Sequence, residues 1–90
     1  MTFIENTPGL LQSIRQDAPK LWEAFTQAAG HGLIFIDEPN DAITASNRLL
    51  LTYPNLHEMI CQIIDHWTHH RTETNTAALA ELIEQAGEEQ

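Results

Sequence analysis

Valine is absent from this 90-residue chain, cysteine occurs once, and only four residues carry a fixed positive charge: Arg15, Lys20, Arg48 and Arg71. Each shortage narrows the field. A single cysteine, Cys61, leaves no internal disulfide and predicts a reducing, cytoplasmic setting. Four bases against thirteen acids give a net charge of −9, which repels phosphate at range. Direct nucleic-acid binding and attachment to anionic membranes are therefore poor expectations, whereas a protein partner with a basic surface fits. No apolar run is long enough to span a bilayer. The opening "MTFIENTPG" lacks the basic stretch and apolar core of a signal peptide.

What remains is rich in Leu, Ile and Ala. Ala and Leu favour helix, so the composition predicts an all-α protein. An apolar fraction of 42% is ordinary for a globular chain and too high for a disordered one. Ninety residues make a single domain, 1–90, with a modest core.

Periodicity divides the chain into a compact bundle of four to five short helices. Over residues 8–29, Leu10, Leu11, Ile14, Ala18, Leu21, Trp22, Phe25, Ala28 and Ala29 form a stripe about 120° wide. Thr7 is the expected N-cap and Pro8 the first helical residue. Pro19 interrupts the stripe, which predicts two nearly coaxial helices, the second capped by Asp17, or one kinked helix. Gly30 is the expected terminating residue. Leu33-Ile34-Phe35-Ile36 is a short extended segment at 33–36, either a minor strand or a packed loop. Its only β-like partners in prospect are "TFI" at 2–4 or the same segment of a second chain. A third helix is predicted over 40–51, capped by Asn40 or Asp41. The next, 55–70, starts with Asn55 and Glu58 in a capping-box spacing. Leu56, Met59, Ile60, Ile63, Ile64 and Trp67 supply its apolar face. A final helix over 75–87 turns Ala78, Leu79, Leu82, Ile83 and Ala86 inward. Short loops predict antiparallel packing of sequential helices.

Candidate chemistry concentrates in "CQIIDHWTHHRT", residues 61–72. His57 and Cys61, Cys61 and Asp65, Asp65 and His69, and His66 and His70 each stand one helical turn apart, a spacing that suits zinc, nickel or cobalt. The helical wheel spreads His57, Cys61, Asp65 and His69 around the outside, so these four do not converge. A metal-binding sensor or enzyme would need His66 and His70 with a third ligand, and His31 in "GHG" is the spare histidine. The competing reading assigns no metal and no cofactor: His69, His70 and Arg71 finish the helix against the negative end of its dipole. "GHG" lacks the later glycine and the preceding strand of a phosphate loop. Cys61 lies beside Glu58 and Asp65, which disfavour a thiolate. No catalytic set is legible.

The candidate partner-binding residues, Asp37, Glu38, Glu73, Glu81, Glu84 and Glu88, fall in two acidic groups. Asp37, Glu38 and Asp41 surround Pro39 without the spacing of a calcium loop. Glu73, Glu81, Glu84, Glu88 and Glu89 run towards the C-terminus with no base among them, and Glu81, Glu84 and Glu88 share one helix face. Acids near a helix C-terminus oppose its dipole. The leading expectation is a small acidic protein-interaction module without catalysis: a regulator, inhibitor or adaptor, with phosphate mimicry as a sub-case. A homo-oligomeric structural protein, such as a homodimer, is the alternative, since the core is small and the 33–36 segment lacks an evident partner.

Overall fold

The computed structural model describes residues 9–88 and the backbone of residues 3–5. Among the described residues the fold is mostly helical, with five helices and a small antiparallel sheet. The order is β1 (Phe3–Glu5), α1 (Leu10–Asp17), α2 (Pro19–Gly30), β2 (Ile34–Asp37), β3 (Ala42–Ala45), α3 (Asn47–Thr52), α4 (Pro54–His70) and α5 (Thr76–Glu88). Among the described residues no helix is long and apolar enough to cross a membrane. The expected caps Thr7 and Pro8 lie outside the described residues.

The chain breaks at Pro19 into two helices. The residue before a proline is pushed out of the helical region, and Ala18 sits at φ −134°, ψ 65°. Ala18, not Asp17, occupies the cap position of α2, and no side chain caps it. The far end of α2 also differs from expectation. The helix includes Gly30, and Gly32 adopts φ +75°. Gly32 N–H donates to Ala29 O and Leu33 N–H donates to Ala28 O, both at 3.0 Å. This paired closure needs a left-handed residue after the cap, which glycine supplies without a Cβ clash.

The predicted third helix over 40–51 is replaced by β3 and the shorter α3. Neither Asn40 nor Asp41 caps α3. Ser46 does, accepting from Leu49 N–H at 3.1 Å. Asp41 instead takes a left-handed φ of 49° and closes a tight turn, Glu38–Asp41, between β2 and β3. The strand order is β1-β3-β2, with Phe35 opposite Thr44, Ile36 opposite Ile43, and Ile4 opposite Ile43 on the other side. So β1 pairs with β3, not with the 33–36 segment. "AITA" is extended because strands on both sides satisfy its backbone groups, an arrangement that overrides the helix preference of alanine.

Ile34, Ile43 and Ala45 point inward with exposures of 1%, 0% and 0% and meet the helical core. That core includes Leu10, Ile14, Leu21, Phe25, Ile60, Ile63, Trp67, Leu79 and Ile83. Trp67 is fully enclosed, and its indole N–H donates to Ser13 Oγ at 2.8 Å. Arg71 Nη1 donates to the same hydroxyl at 2.6 Å, so Ser13 ties α1 to the end of α4. Trp22 is only half-buried, under the Arg15 guanidinium at 4.5 Å. On α5, Ala78 is exposed rather than inward, while Leu79, Ile83 and Ala86 are buried. The Asn55–Glu58 capping box does not form. Pro54 takes the first position of α4, and Glu58 accepts from Gln62 at 3.4 Å instead.

Two helix pairings position the surface. Leu56 at the start of α4 shares a cleft with Leu82, Gln85 and Ala86 at the end of α5, so α4 and α5 run antiparallel, as their short connection predicts. Lys20 of α2 shares a groove with Thr76 and Ala77, while the His31 ring lies against Gly87. Thus α2 and α5 run parallel.

Candidate functional site

The histidines settle first. His66 and His70 do meet, with ring centroids 4.7 Å apart, and His66 Nε2 lies 3.0 Å from Thr72 Oγ1. His31 does not join them. Its ring packs on Gly87 beside the first turn of α4, whereas His66 and His70 belong to the last turns. With 17 residues, α4 is about 25 Å long, so the proposed third ligand sits at the wrong end. Among the described residues no group of three or more His, Cys, Asp or Glu is placed to hold a metal ion. His69 turns to its own helix, with Nδ1 at 2.8 Å from Asp65 O and 3.4 Å from Asp65 Oδ1.

Cys61 Sγ lies 3.6 Å from His57 Nε2. Burial pushes the thiol above its ordinary pKa, and the Glu58 carboxylate adds to the shift. A thiol so placed is a weaker nucleophile at neutral pH.

The acids separate into two populations. Around Pro39 every carboxylate has an internal partner. Asp37 Oδ2 accepts from Asn40 Nδ2 at 2.7 Å, Glu38 is ion-paired with Arg15, and Asp41 accepts the Gly9 N–H. Glu73, though exposed, also has an internal partner. Its Oε1 accepts, at 3.4 Å, from Leu21 N–H in the first turn of α2, where a negative charge complements the helix dipole. Glu81, Glu84 and Glu88 are different. All three are exposed on the outer face of α5, and none makes an ion pair among the described residues.

The bases are equally segregated. Arg15 is held by Glu38 and Trp22, and Arg71 by Ser13. Arg48 Nη2 and the Tyr53 hydroxyl both donate to Ala86 O at 3.4 Å, near the negative end of α5. Arg48 thereby places a positive charge at the carbonyl end of α5, where it complements the helix dipole. Lys20 alone stands beside the α2/α5 groove.

Sequence reasoning placed Glu81, Glu84 and Glu88 together on one face, and the structure keeps them there. It grouped Glu73 with them, and the fold separates it. It missed the α2 contribution, Lys20, Glu23, Ala24 and Gln27, because the α2–α5 pairing has no signature in one dimension. A polar cleft of ≈ 360 Å³ between α1 and the Glu38–Asp41 turn was also unforeseen, but its cation, Arg15, is neutralised by Glu38. A scan against protein-family models matches none of them, and searches of curated proteins and of solved structures find no similar protein.

Proposed function

We propose that this chain is a small, acidic, non-catalytic interaction module that binds a basic surface of another protein through the outer face of α5. The observation that carries the reading is the row Glu81, Glu84 and Glu88, exposed and without an ion pair among the described residues, on a chain of net charge −9. Glu84 and Glu88, towards the C-terminal end of α5, oppose the dipole of their own helix, so they are a local cost to the fold rather than a support. Axial steps of about 4.5 and 6 Å separate the three Cα atoms along the helix, and mimicry of phosphate rows remains a sub-case. The single half-buried Cys61 supports a reducing, cytoplasmic setting for the encounter. Affinity capture from the native host, with wild-type and E81Q/E84Q/E88Q baits in parallel, tests the reading. A basic partner retained by the wild type and lost by the variant is the expected result. Equal retention by both baits, or no partner at all, overturns it.

A second reading, a homodimer, rests on Phe35. It is 55% exposed on β2, an edge strand whose outer backbone groups have no strand partner among the described residues. Sedimentation of a strict monomer at micromolar concentration removes that reading.

A further inference from the structure

The parallel helices α2 and α5 leave a groove of ≈ 350 Å³ on their outer side. Ala24, Ala77 and Ala80 form its floor, with Glu23 on the α2 bank and Lys20 at one end. Glu81 and Glu84 stand one turn beyond Ala77 and Ala80, so the α5 bank continues as the acidic row. A second cleft, lined by Lys20, Thr76 and Ala77 among others, extends the groove towards the 71–75 loop. The Thr76 hydroxyl, at this junction, is buried and has no hydrogen-bond partner among the described residues. We infer that this groove is the docking site for one amphipathic helix of the partner protein. The inference rests on the reading of α5 as the partner-binding face and adds the shape of what binds there.

Three observations select that occupant. Both banks are helices whose backbones are internally bonded, so an extended strand would find no ladder to join and would leave its own N–H and C=O groups unpaired against alanine. A helix brings its backbone already satisfied and packs a ridge of side chains into such a groove. The floor is shallow and made of alanine, which admits small or aliphatic ridges. The rim is acidic through Glu23, Glu81 and Glu84, so the flanks of the incoming helix carry lysine or arginine.

Two probes test the inference: a helical peptide of about 18 residues, roughly 27 Å long, with an Ala/Leu stripe and lysine flanks, and its scrambled isomer of equal charge. Fluorescence anisotropy at low and high salt compares them on the wild type, on Ala77→Trp, which fills the groove from an exposed position, and on E81Q/E84Q. The ordered peptide is expected to bind at least about tenfold more tightly than its isomer, and Ala77→Trp to erase that advantage while leaving the isomer's weak binding intact. Amide chemical-shift mapping on the unmodified protein gives an independent reading, with perturbations expected over 23–27 and 76–84. Equal binding of the two isomers, still weakened by E81Q/E84Q, overturns the groove and leaves the acidic-face reading standing. Shifts confined to 34–45 would place the peptide on the sheet, away from α5, and overturn both. No binding of either peptide at low salt overturns both.

Discussion

The turn between β2 and β3 and the outer face of α5 are both acidic, yet their carboxylates do opposite things. In the turn, Asp37, Glu38 and Asp41 each meet a donor: an amide, a guanidinium and a backbone N–H. On α5, Glu81, Glu84 and Glu88 meet none among the described residues. Charge count therefore does not tell the two regions apart. The presence or absence of an internal donor does, and that is a property of the fold. Glu73 makes the same point within one stretch of chain: it lies in sequence next to the α5 acids but accepts from the Leu21 N–H in the first turn of α2.

The sharpest way to break the comparison is at Asp41. Asp41→Ala removes the acceptor of the Gly9 N–H and places alanine at φ 49°, and chemical denaturation is expected to show a loss of about 2 kcal/mol. Asp41→Asn keeps an acceptor and tolerates the left-handed backbone, so it should cost less than half as much. An equal loss in both variants would mean that the charge, not the bond, matters. Next is the E81Q/E84Q/E88Q triple variant. Its affinity for the captured basic partner should fall at least about tenfold, about 1.4 kcal/mol, with no loss of melting temperature. A destabilised triple variant would show that these acids, too, have a structural role. Glu73→Gln removes a charge from a helix N-terminus and a long hydrogen bond, and should cost about 0.5 kcal/mol of stability while leaving partner binding unchanged. The smallest effect is expected for Glu38→Gln. Its ion pair with Arg15 is half exposed, with both side chains at 51%, so a change of about 0.3 kcal/mol or less should appear in the melt.

Much of the scaffold was legible in the sequence because helix periodicity is a local signal. The buried face of α4, Leu56, Ile60, Ile63, Ile64 and Trp67, follows from spacing alone, and so does the interruption at Pro19. What escaped depends on distant partners. Residues 42–45 contain two alanines and read as helix until two flanking strands are available to pair with them. The division of the acids escaped for the same reason, since Asp41 finds its donor 32 positions away and Glu73 finds its own 52 positions away. The metal alternative turned on a similar point. Spacing put His66 and His70 together, but only the packing of α5 decides where His31 stands.

The parallel pairing of α2 with α5 also sets a time order. The β2–β3 hairpin closes over a four-residue turn, whereas the groove joins Lys20 to Thr76 and His31 to Gly87 across most of the chain. Closing such long loops costs more chain entropy than closing a hairpin. During synthesis, the groove cannot exist until α5 has been made and has folded back. A fragment cut at the 71–75 loop would keep the acids around Pro39 and lose one whole bank of the groove. The groove thus forms only once the chain has extended through α5 and both of its helices have packed together.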